Sequence, residues 1–65
     1  MTTVTLVRGR DRYVCRAGAC VQWHRDGHTM ALLGPLVDDA AVERFMARRF
    51  RDGYRVEVRN ERSTE

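Results

Sequence analysis

The sequence contains no lysine and no isoleucine, and all twelve of its basic residues are arginine, against nine acidic residues. The absence of lysine excludes Schiff-base chemistry on this chain. Serine occurs once, at Ser63, so a serine-based hydrolase is excluded as well. Arginine without lysine or isoleucine is typical of a GC-rich coding sequence. This pattern indicates a bacterial or phage origin and weakens any argument that arginine was selected for its side chain.

Long apolar runs are also absent. The longest one, residues 30–37, is interrupted by Gly34 and Pro35 and is too short to span a membrane. The first seven residues do not combine a basic segment with an apolar one, so no secretory signal is predicted. We therefore expect a cytoplasmic protein with reduced cysteines. A chain of 65 residues with 43% hydrophobic residues has room for one small domain and one core.

Alternating and β-branched residues predict five strands, and helical spacing predicts one helix. Asp26-Gly27 is the strongest turn signal, because Asp-Gly is favoured in two-residue type I′ hairpins. Asp38 is a suitable N-cap for the helix. The apolar face of the helix consists of Val42, Phe45, Met46 and Phe50. The predicted strands are residues 3–7, 13–16, 20–25, 28–33 and 54–59.

The order β-β-β-β-α-β predicts an α+β fold with a small antiparallel sheet and one helix packed on one face. Four strands in a meander, followed by a helix that runs back, place the fifth strand beside the first. The predicted sheet order is therefore 4-3-2-1-5. We expect residues 1–59 to form a single compact domain and residues 60–65 to form a polar, frayed tail.

Two-residue turns at 17–18 and 26–27 would set the register of the sheet. The predicted cross-strand pairs are Arg25–His28, Trp23–Met30, Val21–Leu32, Val14–Val21 and Cys15–Cys20. The face beneath the helix would then carry Val4, Leu6, Val14, Val21, Trp23, Met30 and Leu32. The opposite face mixes polar with apolar side chains, and such a face is a candidate contact for a protein partner or a second copy. The candidate partner-binding residues on it are Tyr13, Cys15, Cys20, Gln22, His24 and Leu33. The alternative is that this mixture is simply exposed to water.

The two cysteines lie close in sequence to His24 and His28, in the spacing C-x4-C-x3-H-x3-H. Four such ligands would suit zinc, but the spacing matches no common zinc module. In the predicted register, His24 is about 13 Å from Cys20 along the strand, which is too far for both to bind one metal ion or to act as a catalytic pair. A cross-strand disulfide remains an alternative, as do two reduced thiols.

Two groups of arginines are candidate contacts for nucleic acid. Arg44, Arg48 and Arg51 lie within about 60° of one another on the predicted helix, opposite its apolar face. The second group is Arg8, Arg10 and Arg12, in the first turn. Arg49 falls within the apolar arc of the helix, and we therefore consider it a candidate interface residue. Acidic residues are interleaved with both groups, which argues against a strongly basic surface.

These observations favour a small non-enzymatic binding protein, regulatory or accessory, that acts through a macromolecular interface, with a homodimer as one form. A protein partner or self-association is favoured, and no membrane contact or small-molecule substrate is implied. The first alternative is a DNA-binding protein that uses the two arginine groups. The second is a redox or zinc module at Cys15 and Cys20. We expect no cofactor, no metal and no catalytic residue.

Overall fold

The structure is a computed structural model that describes residues 2–61, with the backbone alone described at Glu61. Five strands and one helix follow one another in the predicted order. They are β1 (Thr2–Arg8), β2 (Asp11–Arg16), β3 (Ala19–Arg25), β4 (His28–Leu36), α1 (Asp39–Arg51) and β5 (Arg55–Glu61).

The strands form one antiparallel sheet in the order β4-β3-β2-β1-β5, so the predicted α+β fold and the predicted strand order are both confirmed. The helix α1 contacts β1, β2 and β4 across one face of the sheet. We call this face the helix side and the opposite face the open side. The outermost strands of the sheet are β4 and β5.

The register between β3 and β4 agrees with the prediction at the turn and departs from it further along. Asp26-Gly27 sets Arg25 opposite His28, as predicted. A bulge at Met30 then shifts the pairing by one residue. The predicted pairs that involve Met30 and Leu32 are therefore wrong. Beyond the bulge, the observed pairs are Trp23–Ala31, Gln22–Leu32 and Val21–Leu33.

The register between β2 and β3 also differs by one residue from the prediction. Val14 lies opposite Gln22 rather than Val21, so the predicted Cys15–Cys20 pair does not form. A shift of one residue exchanges the two faces of a strand. Each side chain of β2 therefore lies on the opposite face of the sheet from the one predicted.

Hydrogen bonds to other elements explain why the turn at residues 17–18 does not behave as an isolated two-residue hairpin. The backbone N–H of Ala17 donates to the carbonyl of Thr2 at 3.2 Å, and that of Gly18 donates to the carbonyl of Leu36 at 2.7 Å. The turn is thus held by the beginning of β1 and the end of β4. The amino acids of the turn alone do not predict hydrogen bonds to residues as distant in sequence as Thr2 and Leu36.

The core lies between the helix side and α1. Its buried members are Val4, Leu6, Tyr13, Cys15, Val21, Val42, Met46 and Tyr54. The prediction was correct for Val4, Leu6 and Val21, and Trp23 packs partly buried against them. It was wrong for Val14 and Leu32, which the register shifts place on the open side, and for Met30, which is unpaired at the bulge and 51% exposed.

Both ends of α1 follow the sequence signals. The side chain of Asp38 accepts a hydrogen bond from the backbone N–H of Ala41 at 2.9 Å, which makes Asp38 the predicted N-cap. Asp39 ties the first turn to β1 by accepting a hydrogen bond from the N–H of Thr2 at 3.1 Å. After the helix, Gly53 has φ +92°, a backbone conformation that ends many helices and favours glycine.

The last strand extends beyond the predicted end of the domain. Asn60 pairs with Thr3 and Glu61 with Thr2, so β5 includes two residues that the prediction assigned to the tail. The rest of the predicted tail, residues 62–65, lies outside the described residues. Between residues 2 and 61, no helix combines the length and the hydropathy needed to cross a membrane.

Candidate functional site

Three of the six candidate partner-binding residues are not on the open side. Tyr13 and Cys15 are buried in the core beneath α1, because the β2 register differs from the prediction. Leu33 lies opposite Val21 and therefore on the helix side, where it is partly exposed at the sheet edge. The predicted placement of these three residues on the face away from the helix is wrong.

The other three candidates, Cys20, Gln22 and His24, lie on the open side as predicted. His24 is held by two polar neighbours: its Nε2 lies 3.2 Å from Oε1 of Gln22 and its Nδ1 lies 3.1 Å from Oγ1 of Thr29. Both ring nitrogens therefore have amide or hydroxyl partners rather than a thiol or carboxylate. This arrangement is a surface hydrogen-bond chain, and it does not resemble a nucleophile with its base.

The two cysteines are free and lie in different environments. Cys15 is buried beneath the helix and Cys20 is exposed. A cross-strand disulfide requires two side chains on the same face, so the register does not favour the redox alternative. A zinc site at these residues would require both thiolates to bind the same metal ion. In the part of the chain that the structure describes, no three His, Cys, Asp or Glu side chains gather as metal ligands.

The two thiols are expected to react with a thiol reagent at very different rates. Burial raises the pKa of the Cys15 thiol from 9.0 to about 11, although Arg49 opposes the shift. Because the thiolate is the nucleophile, Cys15 is protected at neutral pH by both burial and protonation. We expect folded protein to release the chromophore of a disulfide reagent rapidly from one cysteine, and denatured protein from two. In Cys20→Ser the rapid phase should disappear; its persistence would show that Cys15 is accessible.

All three arginines of the first turn have acidic partners. Arg10 forms an ion pair with Asp26 at 3.1 Å, and Arg12 forms one with Glu57 at 3.1 Å. Arg8 lies 3.9 Å from Asp11 and also donates to the carbonyl of Asp52. The turn is therefore a network that joins strand ends, and little of its positive charge is left uncompensated.

Asp11 is the acidic centre of this network. It accepts a hydrogen bond from Nε of Arg25 at 2.7 Å. That bond, together with the charges of Arg25 and Arg8, lowers the pKa of the Asp11 carboxyl. The guanidinium of Arg25 in turn lies 5.3 Å from the ring centre of Trp23. These contacts stabilise the hairpin end and do not present arginines to a ligand.

Arg49 is an internal residue of the fold rather than a free surface group. Its guanidinium carbon lies 5.4 Å from the ring centre of Tyr13 and 5.2 Å from that of Phe45. Its Nη1 also lies 3.5 Å from Asp52. The position of Arg49 on the apolar arc is thus explained by cation–π contacts with the core, which leave the guanidinium end near water.

The helix arginines differ from all of these. Among residues 2–61, no ion pair or side-chain hydrogen bond is found for Arg44, Arg48 or Arg51. Together with four less polar side chains, they line a groove of about 460 Å³ between the helix and the end of β4. The apolar lining residues are Leu36, Ala41, Phe45 and Ala47. We call this feature the helix groove.

A second surface lies along β4 and the residue after it, and Leu33 is the one member of it that the sequence predicted as a partner-binding residue. No charged residue occurs between His28 and Asp38. Most of the strand is exposed. Three of its large hydrophobic side chains, together with Val37 just after it, are 40–72% exposed, with Leu32 on the open side and Leu33 on the helix side of this edge. We call these four residues the β4 surface: Met30, Leu32, Leu33 and Val37. The signal was the uncharged run itself, which the predicted register placed partly beneath the helix.

Comparison with known proteins adds no relative to this picture. No family model matches the chain, and no curated protein or solved structure matches it. The helix groove and the β4 surface are therefore the features of this protein from which a function can be proposed.

Proposed function

We propose that this protein is a small non-enzymatic binding protein that associates with a second copy of itself through the β4 surface. The observation that carries the proposal is the contrast between the two edges of the sheet. On β4, Met30 is 51% exposed and Leu32 is 64% exposed, and no charged residue occurs between His28 and Asp38. On β5, charged residues alternate with valines, which is how proteins protect an edge strand.

A second copy is the occupant that the chemistry of this surface favours. An uncharged apolar strand contacts its own copy without placing like charges together, and a two-fold axis brings the same patch of both copies into one closed interface. The bulge at Met30 and the missing N–H of Pro35 restrict backbone hydrogen bonding between β4 of one copy and β4 of the other. The contact is therefore formed by side chains, and its driving force is burial of apolar area.

Sedimentation of two matched lysine variants tests the proposal. Leu32→Lys places a charge on the β4 surface, whereas Val58→Lys places the same charge on an exposed valine of β5. We expect the wild type and Val58→Lys to show a concentration-dependent dimer and Leu32→Lys to remain a monomer at every concentration. A monomeric wild type at high concentration, or equal effects of both variants, would contradict self-association through this surface.

DNA binding is the second candidate function, and one observation favours it: Arg44, Arg48 and Arg51 have no ion-pair partner within residues 2–61. The first-turn arginines support it less, because each already has an acidic partner. Binding through three phosphate contacts would be weak, and its affinity would fall steeply with salt. A mobility shift of duplex DNA at low salt that is lost in Arg48→Ala is the expected result for this candidate.

A further inference from the structure

We infer that the helix groove binds a short acidic peptide segment that carries apolar side chains. The inference does not rest on self-association, because no residue of the β4 surface is used in it, although Leu36 of the groove adjoins Val37. Three features of the groove carry it: unpaired positive charge, an apolar lining and a length that suits a linear segment.

The first feature is the charge. Most arginines in the described part of the chain have an acidic or aromatic partner. Arg44, Arg48 and Arg51 have none, although they are concentrated on one stripe of one helix. Glu43, a near neighbour, is already paired with Arg59. The stripe therefore presents positive charge that carboxylates of a partner can complement.

The second feature is the lining, which separates a peptide from nucleic acid. Leu36 and Phe45 are partly buried against the core, and each also lines the groove. A phosphate backbone offers charge to the arginines but nothing to these apolar side chains. A peptide that combines carboxylates with leucines satisfies both. The lining thus favours the peptide over DNA for this groove.

The third feature is the extent of the stripe. From Arg44 to Arg51 the helix axis advances about 10 Å, because each residue adds about 1.5 Å. An extended peptide covers that distance with about three residues. The groove volume of about 460 Å³ accommodates a few side chains, which matches a segment of this length. The occupant is therefore a short linear segment.

Fluorescence anisotropy with designed peptides tests the inference. The probe is a labelled peptide in which glutamates are interspersed with leucines. One comparison peptide replaces the leucines with serine, and the other replaces the glutamates with glutamine. We expect the probe to bind and both comparison peptides to bind at least about tenfold more weakly. The serine peptide lacks the apolar contacts, and the glutamine peptide lacks the charged ones. Failure of the probe to bind, or equal binding of the serine peptide, would overturn the inference.

Matched variants locate the site. Arg44→Ala/Arg48→Ala removes two charges from the groove, and we expect it to weaken probe binding about tenfold. Arg55→Ala removes an exposed arginine from β5 and should change binding less than about twofold. Leu32→Lys, which disrupts the β4 surface, should bind the probe as the wild type does. Equal losses in the two arginine variants, or tighter binding of a DNA duplex than of the probe at the same salt, would contradict a peptide groove.

Discussion

Leu6→Ala is expected to lower the free energy of unfolding by about 2–5 kcal/mol, a large effect for a single substitution. Among the residues whose side chains the structure describes, Leu6 is the largest that is completely buried. It lies opposite Tyr13 on β2 and Val56 on β5, near the middle of the sheet and beneath the helix. Its removal leaves a cavity that neighbours on two strands cannot fill without moving the backbone.

The size of the protein makes this loss severe. The free energy of unfolding of a chain of this length is about 3–10 kcal/mol, so Leu6→Ala is expected to remove a large part of it. Urea denaturation measures the change, and Leu6→Val serves as a milder variant if the alanine variant does not fold. The matched control is Leu32→Ala, which truncates the same residue type on an exposed site and should change stability by less than about 0.5 kcal/mol. It should be measured at low protein concentration, so that self-association does not contribute.

Gly34→Ala is expected to be the most damaging backbone substitution, with a loss of about 1–3 kcal/mol. Gly34 has φ +102°, where side chains are disfavoured, and an added Cβ would lie 3.2 Å from the backbone nitrogen of Leu36. The backbone of β3 near Val21 lies on its other side, at 3.8 Å. The substitution is therefore strained by its own dihedral angle and also crowded by atoms that cannot rotate away.

A second glycine separates the two causes. Gly18→Ala has a similar dihedral problem, with φ +81°, but an added Cβ there meets nothing within 4 Å. We expect Gly34→Ala to cost about 1 kcal/mol more than Gly18→Ala in chemical denaturation. Equal losses would show that the close approach at Leu36 relaxes easily and that the dihedral angle alone determines the cost.

The strand order was predictable because each element carried its own local signal. Alternating strands, the Asp26-Gly27 turn, the Asp38 cap and Gly53 after the helix all act over a few residues, and the structure contains each of them. The sheet order then followed from the short connections. None of these inferences required knowledge of which side chains meet.

The faces of β2 and of most of β4 were not predictable in the same way. The β2 register depends on hydrogen bonds from Ala17 and Gly18 to Thr2 and Leu36, which are distant in sequence. The β4 register depends on a bulge at Met30, which no turn signal announces. A register shift of one residue exchanges the two faces of a strand. The two shifts therefore placed half of the candidate partner-binding residues on the wrong face of the sheet.

The candidate surfaces show the same division between local and distant information. The stripe of Arg44, Arg48 and Arg51 was visible from helical spacing alone. The pairing of the arginines could not be seen in this way. The first-turn arginines pair with acids from other turns and strands, such as Asp26 and Glu57, whereas the helix arginines have no such partner among the described residues. Sequence shows where charges are placed along an element, but pairing depends on the tertiary fold.

The unlike edges of the sheet would also limit the size of the assembly that we propose. A two-fold contact between the β4 surfaces uses that surface in both copies at once. What remains at either end of the pair is β5, whose alternating arginines and glutamates discourage another strand from adding. In the proposed dimer, assembly would therefore stop at two chains, because the apolar edge of each copy is covered and only the charged edge stays exposed.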